Sequence, residues 1–209
     1  MPQSMRSRPA GRRGNAILEF ALVSTFLAPL LVGTFVLGMT MIRNLQATEM
    51  SRDAGRLYMR MVEVAGAGDP DIGARLAQGL HMTRGGGHDA VIVSKVAYVS
   101  DAECAAGGYA SGDTRCANRN QYVFLQQIVI GNPALGGSHF GSTTGAIYDT
   151  HRNITNYLSH EGLRANGFGA VLRLNSGEAA YVSEARLVAP GLDLAGHKAG
   201  KAVYARSIF

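Results

Sequence analysis

Glu19 is the residue whose chemistry stands out first. It is the last charged group before Phe20–Ile42, a run of 23 residues without a charge. A carboxylate within a membrane span costs up to roughly 2.5–3.5 kcal/mol at the centre and less near an edge, so such a group normally has a partner. The plainer alternative is that Glu19 favours the positive end of a helix dipole at the water interface. Cys104 and Cys116, the only cysteines, flank a segment rich in Gly, Ala, Ser and Asp that reads as a loop. A disulfide between them would contribute roughly 3 kcal/mol and requires an oxidising compartment. Two free thiols are the alternative. There is no second cysteine pair to build a zinc ribbon. The six histidines (His81, His88, His139, His151, His160 and His197) form neither H-x-H nor H-E-x-x-H, so no metal site and no cofactor are expected. No G-x-S-x-G elbow, P-loop or G-x-G-x-x-G is present, and no enzyme activity is expected. Asp69 with Asp71, and Asp101 with Glu103 and Asp113, lack EF-hand spacing and read as solvated loop acids rather than calcium ligands. Asn153-Ile154-Thr155 matches a glycosylation sequon.

These groups must be positioned by the elements around them. As a helix, residues 20–42 would be ~34 Å long, enough for a ~30 Å hydrocarbon core. Pro29 lies inside the run and predicts a kink. The apolar stretch is too long for a cleaved secretory signal, and no A-x-A-like site follows it. Arg6, Arg8, Arg12 and Arg13 precede the span, and without them the chain has 16 basic against 15 acidic residues. The high pI is therefore mostly a property of the N-terminal tail, which gives no support to nucleic-acid binding by the folded part. Arg43, Arg52, Arg56 and Arg60 follow the span, so the positive-inside rule alone does not orient it.

Helical spacing continues beyond the span. Met50, Ala54, Leu57, Tyr58, Met61 and Ala65 share one face, and Arg52, Arg56 and Arg60 form a solvated stripe, with Asp53 and Glu63 in pairing range. Gly66 and Gly68 end the helix, and Asp69-Pro70 caps a short helix running to about His81. Residues 84–88 read as a loop. Strands are predicted at 90–99, 122–130, 169–174, 180–188 and 202–208, with a turn at Asn175-Ser176-Gly177. The first two strands read as an antiparallel pair. Residues 132–145 read as glycine-rich loop, and Asp149 or Thr150 is expected to cap a short helix through Leu158. The predicted class is α+β. A long helix over 15–66, with its membrane part at about 20–42, would pack its amphipathic second half on an antiparallel sheet within a globular region at 67–209.

The boundary Arg12-Arg13-Gly14-Asn15-Ala16-Ile17-Leu18-Glu19-Phe20 resembles the processing site of type IV prepilins. Its continuation Glu19-Phe20-Ala21-Leu22-Val23, with Pro29 ten residues after Glu19, is similar to TadE/TadF-type pseudopilins, minor components of the tight-adherence (Flp, type IVb) pilus. The resemblance covers roughly residues 12–42. It implies a cytoplasmic leader at 1–14, cut after Gly14 by a membrane-embedded prepilin peptidase. Asn15 would become the new N-terminus and Glu19 the fifth mature residue. It also implies a pilin-like fold, a single pass through a bacterial inner membrane with the C-terminal domain outside the cytoplasm, and assembly with other pilins and pseudopilins on an inner-membrane platform. Membrane lipid would be a further partner. The chain differs from many major pilins in having Asn15 where they begin with phenylalanine. Its globular part far exceeds the short tight-adherence major pilins, which places it with the minor class. Cleavage would leave an ammonium at Asn15, with an ordinary pKa near ~8, able to meet Glu19 of a neighbouring subunit. An uncleaved, single-span anchor for an extracytoplasmic binding or sensor domain is the competing reading.

Overall fold

The computed structural model describes residues 13–65, 72–80, 82–83, 85–188 and 202–209. The chain divides into two compact units, Met1–Ile42 and Arg43–Phe209. The expected cap at Asp69-Pro70, the helix-ending Gly66 and Gly68, His81 and His197 lie outside the described residues, as does the leader up to Arg12.

Arg13–Ala65 is helical (α1) and its assignment is uninterrupted at Pro29. In the first unit the helix is apolar on every side. Leucines, valines and phenylalanines from Ile17 to Ile42 are exposed all around it. A helix hydrophobic all round buries its surface in something other than its own chain. The hydroxyls of Thr25, Thr34 and Thr40 donate to the carbonyls of Ala21, Leu31 and Val36 at 2.8–2.9 Å. These three threonine hydroxyls are thereby satisfied locally, as an apolar medium requires.

In the second unit α1 becomes amphipathic. Ala47, Ser51, Ala54 and Tyr58, at steps of three or four, are buried, and Met50 and Leu57 pack beside them. Arg52, Arg56 and Arg60 are exposed, as the stripe predicts. Asp53 makes no ion pair among the described residues. A short helix, α2 (Ile72–Gly79), adds Leu76 and Ala77 to the same layer.

These helices cover one face of a four-stranded antiparallel sheet formed by β1 (Asp89–Val99), β2 (Gln121–Gly131), β3 (Ala179–Val188) and β4 (Ala202–Ile208), in the order β2-β1-β3-β4. Val91, Val93, Ile128, Ile130 and Ala185 face the helices. Val96, Phe124 and Val182 face the other way, under Phe140, Ile154, Leu163 and Phe168. A bulge produces the switch in β2. Lys95 pairs with Gln126 but Val96 pairs with Phe124, so Leu125 is the extra residue. The insertion places Gln126 and Phe124 on opposite faces, where simple alternation would put them on one. Gly131, at φ +89°, ends β2. A Cβ there would fall 2.2 Å from the Asp89 carbonyl oxygen.

The sheet's second layer has little regular structure, and three expectations are corrected in it or beside it. Residues 101–106 form a helix, α3 (Asp101–Ala106), so Cys104 lies on a helix and not in a loop. Ser100 caps it through the Ala102 N–H, and Glu103 closes a capping box. No helix runs from Asp149 to Leu158. The Asp149 carboxylate accepts the N–H groups of His151 and Asn153 (both 2.8 Å), but Arg152 adopts φ +61°, which ends any helical path. Residues 169–174 are not a strand: Phe168–Ala170 is a 3-10 turn, and Val171 and Leu172 are exposed beyond it.

Candidate processing and assembly site

The backbone is helical from Arg13, so Gly14 and Asn15 occupy the first turn of α1 and Glu19 stands one turn beyond Asn15, ~6 Å along the axis. Glu19 is exposed, between Leu18 and Phe20, which are 66% and 73% exposed. No hydrogen bond or ion pair joins Glu19 to any described residue. The helix carrying it is the one helix among the described residues long and apolar enough to cross a membrane, and none of its most apolar window is buried.

The second predicted pair meets. Cys104 and Cys116 form a disulfide, with S–S 2.00 Å and Cα–Cα 6.0 Å. Both are buried with Val99, Val123 and Leu158. α3 brings Cys104 to the cluster, and the turn at Asp113–Cys116 brings the other half. Asp101 pairs with Arg119, and Asp113 with Arg115 at 2.7 Å. These acids are held by protein donors and are not simply solvated. Glu103 also binds the Ser176 hydroxyl and the Gly177 N–H, each at 2.8 Å. Desolvation opposes its ionisation, but the hydroxyls of Ser100 and Ser176 and the Ser100 N–H outweigh it, and the carboxyl is held down at about 2.

Three buried polar residues were not singled out by sequence reasoning. Asn118 donates to the carbonyls of Tyr157 and His160 (2.7 and 2.8 Å) and accepts from Arg164 Nε (2.9 Å), pinning residues 157–164 beside the disulfide. Tyr58 donates to Gln126 Oε1 across the helix–sheet interface. Burial, and then the neighbouring Tyr181, push the Tyr58 phenol well above its usual range. Glu184, fully buried in β3, accepts from Tyr204 Oη (2.5 Å) and the His139 N–H (2.8 Å). A polar residue carries no sequence mark of the element that will cover it, so Asn118, Gln126 and Glu184 had no readable signal. The Ser100-x-x-Glu103 capping box did have one.

Among the described residues no three His, Cys, Asp or Glu side chains converge at metal-ligand spacing. His160 Nε2 lies 3.1 Å from the Thr144 carbonyl, and the His139 ring meets Phe140 edge-on and Tyr204 at a tilt. Comparison of the chain with protein-family models, with characterised proteins and with solved structures finds no match. What fold and site define is an α+β chain with one N-terminal helix able to span a membrane and one disulfide.

Proposed function

We propose that this chain is a minor pilin-like subunit, cleaved after Gly14 by a prepilin peptidase and taking part in assembly of a tight-adherence type pilus. The observation that carries the reading is Glu19. It is an exposed carboxylate with no partner among the described residues, at the head of a helix apolar on every side. In lipid or in a bundle of such helices a lone carboxylate is costly. An ammonium at Asn15 of a neighbouring subunit is the complementary charge, and the pairing would set axial register between adjacent helices. Gly14 in the first turn helps, because glycine's conformational freedom eases local unwinding for a peptidase. The disulfide supports an extracytoplasmic place for the second unit, since such bonds persist in oxidising compartments. The N-terminus then stays in the cytoplasm.

Mass spectrometry of the protein from cells containing a working prepilin peptidase tests the reading. The expected N-terminal peptide begins at Asn15. An intact Met1 tail in those cells would overturn it in favour of an uncleaved anchor carrying a binding or sensor domain.

A further inference from the structure

The two edges of the sheet are treated differently. β2 is covered by its own chain. Ile154 N–H donates to the Leu125 carbonyl and Ala165 N–H to that of Tyr122, both at 2.8 Å, and Val123 bridges Arg164. No described strand pairs with the outer edge of β4. Tyr181 and Phe209 exchange both main-chain bonds (3.0 and 2.9 Å). With Ser183 opposite Ser207 and Glu184 opposite Arg206, the antiparallel alternation turns the N–H and C=O groups of Tyr204, Arg206 and Ile208 outward, away from β3.

The surroundings of this edge are basic. A recess of about 340 Å³ runs between α1 and β4, lined by Arg52, Arg56 and residues 206–209, with no Asp or Glu in its lining. Arg52 and Arg56 stand one helical turn apart, both exposed, and neither has a hydrogen-bond or ion-pair partner among the described residues. On the opposite face of β4 the Arg206 guanidinium lies over the Phe140 ring, 4.7 Å from its centroid. The carboxylate on the adjacent strand, Glu184, is buried and already accepts from Tyr204 and His139. Charged residues on an edge strand repel apolar strands. Unpaired arginines of a single sign do more, because they discriminate in favour of an acidic strand.

We propose that the outer edge of β4 docks an extended, acidic segment of another protein, which adds as a fifth strand with carboxylates over Arg52 and Arg56. Main-chain bonds to Tyr204, Arg206 and Ile208 supply affinity, and the charge on alternate side chains supplies specificity. The inference does not depend on processing at Gly14.

The test uses the full chain in neutral-detergent micelles and a fluorescein-labelled octapeptide of alternating glutamate and valine. Anisotropy reads binding, and amide hydrogen exchange reads Tyr204, Arg206 and Ile208. The expected result is saturable binding that slows exchange at these three amides. Arg52→Ala/Arg56→Ala should weaken binding by at least about tenfold, the scale of one lost charge-assisted hydrogen bond. Both side chains are exposed, so the variant's circular dichroism should match the parent. A lysine–valine peptide should bind at least about tenfold more weakly, and so should one of the two glutamate–valine peptides N-methylated at every second residue, the one whose methyl groups fall on the amides facing β4. Absence of binding, undiminished binding of both N-methylated peptides, or an unchanged affinity in the double variant would overturn the proposal. So would slow exchange at the three amides before any peptide is added, which would mean that this chain or a second copy already occupies the edge.

Discussion

Replacing both cysteines, Cys104→Ala/Cys116→Ala, should destabilise the second unit by about 3 kcal/mol. The estimate follows from the size of the loop that the bond closes. For a sequence separation of 12, the chain-entropy relation gives roughly 3 kcal/mol at 25 °C. The native loop is held by other means as well. Tyr109 N–H bonds the Cys104 carbonyl (2.9 Å), Arg119 pairs with Asp101, and Asn118 ties the segment to residues 157–160. The folded geometry should therefore survive the substitution, and the loss should come from the freed unfolded chain. For a domain of this size 3 kcal/mol corresponds to a Tm lower by about 6–12 °C. Urea denaturation of the full chain in detergent, followed by near-ultraviolet circular dichroism, would measure it, with thiol-reduced wild type as a second arm. The two arms should agree, because each removes the same covalent constraint. A loss below about 1 kcal/mol, or arms that differ by more than that, would refute the argument that the bond acts on the unfolded chain.

Four further outcomes are expected. Glu19→Ala should leave membrane levels normal and reduce assembly, read by comparing membrane with sheared-pilus fractions, or by pilus number per cell; unchanged assembly by both measures would leave Glu19 as a helix-terminal acid only. Tyr58→Phe should cost about 1–3 kcal/mol in denaturant titrations by stranding the buried Gln126 amide, whose Nε2 already lacks a partner, and Tyr58→Phe/Gln126→Leu should recover most of it. Gly55→Ala would set a Cβ 2.2 Å from the Phe209 ring, so it should destabilise the wild type yet stabilise a Phe209→Ala background by up to about 1 kcal/mol, as a double-mutant cycle would show. Glu103, held at about 2 against an ordinary 4.5, adds stability that is fully present above pH 4.5 and lost as pH falls towards 2; Glu103→Gln should flatten the acid limb of the stability profile in that window.

The strands at 90–99, 122–130, 180–188 and 202–208 were legible because branched and aromatic residues fill them, and each falls within one residue of the observed bounds. The stretch 169–174 is also largely apolar and forms no strand, because apolar character does not supply a neighbouring strand to bond with. Asp149 or Thr150 was read as the cap of a helix that does not form: Asp149 does accept nearby N–H groups, but the left-handed Arg152 diverts the chain, and nothing about an arginine announces that conformation. The bulge at Leu125 was equally silent: it is visible only once Lys95 and Val96 are matched against their partners. The disulfide was readable because two cysteines allow one pairing. The capping box at Ser100 was readable as well, and the small residues around it favoured a loop reading instead.

The position of β1 has a consequence for synthesis. It is the first strand made, yet in the finished sheet it lies between β2 and β3. As the chain emerges N-terminus first, β1 can pair with β2 once Gly131 is out. Its other edge, along Val91, Ile92 and Val93, then waits for β3, whose first residue, Ala179, follows 48 residues after Gly131. At about 5–20 residues per second the delay lasts on the order of several seconds. During it, one apolar strand offers an unpaired backbone to any similar strand nearby. The most vulnerable moment for this protein therefore belongs to its biosynthesis, and the segment most in need of a holding chaperone is the one that ends up best protected.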